Sequence, residues 1–126
     1  NQSIFAVKQD TKILDQYILV KGAESLRTSF DKHELDPESI DHVLAHISSG
    51  YFKEGLKNEF ANVGLDFPWE KWFYNLSEVG NIGAGSIFIA VEQLMNSGKL
   101  KKGEKILLCV PESGRFAYSC ALLTVC

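Results

Sequence analysis

The chain has 126 residues, 45% of them hydrophobic and 23% charged, with a formal net charge of −3. This is the make-up of one ordinary globular domain, long enough to bury roughly two-thirds of its unfolded surface. The acidic balance and the absence of any basic run longer than Lys101-Lys102 argue against a nucleic-acid partner. No apolar run nears the roughly 18 residues of a membrane span, so no membrane role is expected.

The three cysteines, Cys109, Cys120 and Cys126, form no CxxC or CxxH pair. Their odd number and scattered positions point to reduced thiols in a cytoplasmic protein. Cys109 and Cys120 lie in apolar, strand-like runs and are expected to be small buried hydrophobes. No cluster of His with Cys or carboxylate suggests a metal. The chain opens at Asn1, without Met, and runs at once into Ile4-Phe5-Ala6-Val7. Its expected nature is a piece of something longer, with that stretch a short strand or docking segment.

Asp10 is placed to cap a helix carrying Ile13, Leu14, Tyr17, Ile18, Leu26 and Phe30 to about Lys32, with a possible break at Gly22. Asp36-Pro37-Glu38 is a helix-start signature that opens only a turn. Asp41 to Ala45 then makes a strand with Val43 and Leu44 in the core and His46 at its carboxyl end. Ser48 or Ser49 can cap a second helix, whose face is Phe52, Leu56, Phe60 and Val63. Leu65 to Trp69 is expected as a turn and Trp72 to Asn75 as a short strand. After Gly80-Asn81-Ile82-Gly83-Ala84-Gly85-Ser86, Ile87, Ala90, Val91 and Leu94 mark a third helix. Phe88 and Ile89 suggest that this helix is buried on a further side. Gly98 suits its C-terminal cap. Ile106 to Val110 is a continuous apolar run, expected as a central strand. Ser113-Gly114 turns the chain, and Phe116 to Val125 returns as a strand. The fold class is α/β: a layered mixed β-sheet packed with helices, ending in a β-hairpin.

Strand ends bring the chemistry. Ligands of open α/β sheets sit at the carboxyl ends of strands. His46 and Asn81 each follow a strand, and Gly114 follows another. A His N–H and an Asn amide aimed at one carbonyl oxygen would stabilise the charge developing there, and a backbone N–H at Gly114 could serve a second oxyanion. The glycines of the 80–86 loop have three readings: a phosphate cradle, packing glycines that let the helix start approach another backbone, or a frame holding Asn81 at a reaction centre. The first lacks the Lys of a GxxxxGK[ST] loop, and the spacing inverts GxGxxG. His33 and His42 stand among charged residues and are expected to be solvated.

Ala45-His46-Ile47-Ser48-Ser49, the Gly80–Ser86 loop, Leu107 to Val110 running into Gly114, and Ala121-Leu122-Leu123 together resemble the C-terminal half of a β-ketoacyl-ACP synthase III, a thiolase-fold condensing enzyme. Also similar are Leu35 to Asp41 and the turn from Gly98 to Glu104. The resemblance covers roughly Thr11 to Val125, within one domain spanning 1–126. It implies that a Cys nucleophile in the missing N-terminal half takes an acyl group from acyl-CoA or acyl-ACP. His46 and Asn81 would then stabilise the enolate formed by decarboxylation of malonyl-ACP, with His46 neutral, and Gly114 would supply an oxyanion-hole N–H. Fatty-acid or polyketide-type biosynthesis, a homodimer, an acyl carrier protein partner and no cofactor beyond the substrates follow from the same resemblance. None of the three cysteines stands at the nucleophile's place, so the piece alone is expected to be inactive. Ile47, Ser48 and Ser49 depart from the family's usual Gln-Ala-Asn. Tyr51 stands where an Arg commonly contacts the carrier, with Lys53 and Lys57 as substitutes or as a solvated face. Ser113-Gly114-Arg115, after Glu112, replaces a triple glycine. These departures suggest a specialised synthase. A non-catalytic thiolase-fold partner subunit and a phosphate or nucleotide binder are the alternatives.

Overall fold

The computed structural model describes residues 10–126. The Ile4–Val7 segment lies outside the described residues. The elements are α1 (Thr11–Lys32), β1 (His42–Ala45), α2 (Phe52–Asn62), α3 (Leu76–Val79), α4 (Ser86–Asn96), β2 (Lys105–Glu112) and β3 (Ala117–Thr124). Asp10 caps α1 by accepting from the Lys12 and Ile13 N–H groups. The helix does not break at Gly22. A Cβ there would stand 3.0 Å from the Tyr118 ring, so the glycine makes room for β3 against an unbroken helix. Asp36 caps a single turn at Pro37–Ser39, as its sequence signature demands.

The sheet order is β1-β2-β3, with β1 parallel to β2 and β2 antiparallel to β3. This is the expected mixed sheet with β2 central and a closing hairpin. Alternation along the strands sends side chains to two cores. Val43, Leu107 and Cys109 join Ala23, Leu26 and Phe30 of α1 and Phe60 of α2 on one face. Leu44 and Ile106 join Ile87, Ala90 and Leu94 of α4 on the other. Helices therefore cover both faces of the sheet, and β1 is buried on both sides.

Several local expectations change. Within the expected Leu65–Trp69 turn, Leu65 and Phe67 are buried, 0% and 1% exposed, and pack with Phe30 and Phe60. The segment after them makes only one bridge to β1, through Val43 and Trp72, so it is no strand. The chain leaves β1 at once to form α3, a single turn that its short, polar sequence did not announce. Ser49 does accept from Tyr51 N–H, but α2 itself starts at Phe52 without a side-chain cap. Phe88 is 73% exposed, which corrects the expected second buried side of α4. His42 is not solvated either: its Nε2 lies 2.9 Å from Glu104 Oε2, and its side chain is 18% exposed. Cys109 is buried as expected, but Cys120 is exposed.

Candidate functional site

The carboxyl ends of β1 and β2 open onto a cavity of about 320 Å³ between the sheet, α1 and α2. His46 and Asn81 both line it. Its floor is apolar, with Leu14, Ile18, Phe52 and Leu56 among the contributors. A few polar groups in a mostly apolar lining are the pattern of small-molecule sites.

His46 is held from behind. Its backbone N–H donates to Cys109 O at 2.8 Å, which continues the β1–β2 ladder one residue past the strand. Buried Val43 and Leu44 on one side and buried Ile47 on the other fix the chain. The imidazole is half-buried and makes no hydrogen bond among the described residues. Burial lowers its pKa below the ordinary 6.5, because the charged ring would lose hydration with no counter-ion to replace it. His46 is therefore neutral at pH 7, and one ring nitrogen carries a donor N–H.

Asn81 is held by its own loop. Its Oδ1 accepts from Gly83 N–H at 2.9 Å. That leaves the amide nitrogen as the outward group, a donor without a partner among the described residues. Ser86 Oγ accepts from Ile82 N–H at 3.1 Å and closes the other side of the loop. The glycines serve conformation: Gly80 has φ +78° and Gly83 φ +67°. A Cβ on Gly83 would meet nothing within 4 Å, and one on Gly85 would meet only the Ile82 side chain. The reading of these glycines as room for another backbone is thereby corrected among the described residues.

Gly114 differs from the other two. Its N–H already donates to Glu112 Oε1 at 2.5 Å, while Arg115 N–H donates to Glu112 Oε2 at 3.1 Å. The neighbouring Ser113, not Gly114, lines the cavity. Lys53 and Lys57 do not form a solvated face. Lys53 Nζ lies 5.0 Å from the Trp69 ring centroid and 4.5 Å from that of Tyr74. Lys57 Nζ lies 5.8 Å from Trp69 and 2.9 Å from Asp66 Oδ1.

No group of three His, Cys, Asp or Glu is arranged to hold a metal among the described residues, and none of their helices is long and apolar enough to cross a membrane. Sequence reasoning missed the cavity's α1 wall. Gly22, which admits the Tyr118 ring, was the available signal.

Helices on both faces of a three-stranded mixed sheet define the class: the arrangement is that of thiolase-like structures. A solved 3-oxoacyl-[acyl-carrier-protein] synthase III from Aquifex aeolicus superposes with a TM-score of 0.76 at 27% identity, covering 93% of this chain and 36% of that one. The corresponding protein of Pseudomonas aeruginosa also gives 0.76, at 22% identity, over 99% of this chain and 38% of that one. Residues 30–125 match the family model of the 3-oxoacyl-[acyl-carrier-protein (ACP)] synthase III C terminal, and the chain belongs to that family. A curated relative, the beta-ketoacyl-[acyl-carrier-protein] synthase III of Koribacter versatilis, is 27% identical over 114 residues, 90% of this chain and 33% of that protein. The chain thus spans about a third of the length of such relatives.

Proposed function

We propose that this chain is the C-terminal catalytic part of an acyltransferase of the ketoacyl synthase III type. The reaction is the decarboxylative Claisen condensation of an acyl thioester with malonyl-ACP, in fatty-acid or polyketide-type biosynthesis. The observation that carries the reading is the pair His46 and Asn81, donors without a partner among the described residues, lining one cavity.

The chemistry follows from the donors. Loss of carbon dioxide from a malonyl thioester leaves an enolate whose negative oxygen needs stabilisation. A neutral imidazole N–H and an amide N–H supply it without adding a formal charge that would over-stabilise the enolate. The apolar floor excludes water, which strengthens both hydrogen bonds. The enolate carbon then attacks an acyl group held on a Cys outside this chain. The acyl-CoA or acyl-ACP donor, the acyl carrier protein, a homodimer and a cytoplasmic setting belong to the same reading. Lys53 and Lys57, held over Trp69 on α2, are the cationic groups this reading offers to a carrier's phosphopantetheine arm.

The test separates two half-reactions in the full-length protein. His46→Ala and Asn81→Ala should each lower condensation and malonyl decarboxylation about 10²–10³-fold while leaving Cys acylation by labelled acyl-CoA largely intact. Equal loss of acylation would sink the assignment. The 126-residue chain alone should form no carbon–carbon bond. One observation favours a second reading, a non-catalytic thiolase-fold partner subunit: Glu112 occupies the Gly114 N–H. A full-length protein that neither acylates nor condenses would support that alternative.

A further inference from the structure

Cys109 and Cys120 stand opposite one another in the β2–β3 ladder. Two pairs further on, Pro111 faces Tyr118, and Pro111 has no N–H, so that pair cannot exchange two hydrogen bonds. Antiparallel pairs alternate, which places Cys109–Cys120 in the same non-bonded class. The other end of the ladder agrees: Val125 N–H donates to Glu104 O and Gly103 N–H to Val125 O, which sets the same phase. In non-bonded pairs the Cα atoms are about 4.5 Å apart and the side chains are closest. That lies within the roughly 4.4–6.8 Å that a disulfide spans.

Both thiols line the cavity that holds His46 and Asn81. Cys120 is exposed and Cys109 is buried, so a small oxidant reaches one while the other waits beside it. A hydrogen bond from the Cys109 thiol holds Cys120 below the usual thiol range. The same contact, with burial, pushes Cys109 well up. Cys120 is therefore the more accessible and the more readily ionised thiol of the pair.

We propose that Cys109 and Cys120 form a peroxide-oxidisable dithiol that closes reversibly to a cross-strand disulfide in the cavity wall. The Cys120 thiolate attacks one oxygen of a hydroperoxide, and the O–O bond breaks. Cys120 becomes a sulfenic acid, and the expelled hydroxide, or alkoxide from an organic peroxide, takes up a proton and leaves as water or as the alcohol. The Cys109 sulfur then attacks the Cys120 sulfur and gives up its proton, the S–O bond breaks, and water leaves. Two thiols lose two electrons in all, and one peroxide bond is reduced. Cys109 is also the residue whose carbonyl anchors the His46 backbone. The disulfide thus ties β3 to that anchor and replaces two thiols in the wall by one apolar bridge. This assignment is independent of the condensing reaction.

The experiment treats the full chain with hydrogen peroxide, alkylates remaining thiols with N-ethylmaleimide, and maps peptides by mass spectrometry. The expected product joins the Cys109 and Cys120 peptides, is two hydrogens lighter than the reduced pair, and disappears with dithiothreitol. Cys126→Ser should leave it unchanged, and Cys120→Ser should abolish it. The Cys126→Ser chain should close about tenfold or more faster in buffer than in urea, since only the folded sheet holds the thiols together. Overturning results are equal rates in buffer and urea, a bridge to Cys126 instead, or Cys120 carried to sulfinic acid with Cys109 still alkylated after unfolding.

Discussion

The end of β1 and the turn after β2 present the same kind of group, a neutral N–H at the carboxyl end of a strand, in opposite states. At His46 the backbone is tied down by Cys109 and the side-chain donor is left free. At Gly114 the donor itself is consumed by the Glu112 carboxylate. Glu112 is about half exposed, and His46 is backed by residues that are almost fully buried. A buried scaffold can hold an unpaired donor in place because packing fixes it. An exposed turn satisfies its own donors locally, because nothing else orders them. Strand-end position alone therefore does not make an N–H available.

Removing the free donors should have the largest effect. In the full-length protein, His46→Ala or Asn81→Ala should lower condensation about 10²–10³-fold, the usual cost of one lost oxyanion donor. Steady-state condensation and single-turnover acylation measured side by side would check it. Releasing the occupied donor should act in the other direction and less strongly. Glu112→Ala frees the Gly114 N–H, and Cys acylation should rise about three- to tenfold if an oxyanion otherwise competes with the carboxylate for it. An unchanged acylation rate would remove Gly114 from the oxyanion hole. In the wall of the His46 cavity, Tyr118 Oη donates to Ile18 O at 2.7 Å and pins β3 to α1. Tyr118→Phe should cost about 1 kcal/mol in urea unfolding, with the His46 environment retained.

The smallest effect is in titration. The His46 pKa is lowered from 6.5, so in the window just below pH 6.5 the unfolded chain binds a proton at this site that the folded chain refuses. Stability should fall as pH drops through that window, and His46→Gln should flatten the slope. Nitrogen chemical shifts of the imidazole should show His46 still neutral where a free histidine is half-charged. An ordinary titration at 6.5 would break the contrast between a desolvated donor and an exposed one.

Much of this was legible in the chain. The Asp10 cap, the Asp36-Pro37-Glu38 turn, the strand ending at His46, the central run Ile106–Val110 and the return after Ser113-Gly114 all rest on local rules. Capping oxygens, fixed φ at proline and continuous apolar runs act over a few residues, so composition carries them. The burial of Leu65 and Phe67 within their turn was not legible, because a core built by a loop has no period. Phe88 was misassigned because helical periodicity marks apolar residues without saying which neighbour covers them. The order of motifs also singled out His46 and Asn81 before the cavity that both line was visible.

Which groups meet, and in what state, was decided by the tertiary structure alone. Only the packing of α1 and α2 over the sheet makes the cavity that His46 and Asn81 share. Only the β2–β3 register sets Cys109 against Cys120, eleven positions apart in the chain. By itself the sequence determined elements and candidate groups, because these follow from near-neighbour sterics and burial preference. The placing of the free His46 donor, the lowering of its pKa and the pairing of two thiols depend on residues distant in the chain, and exist only once the layers have closed.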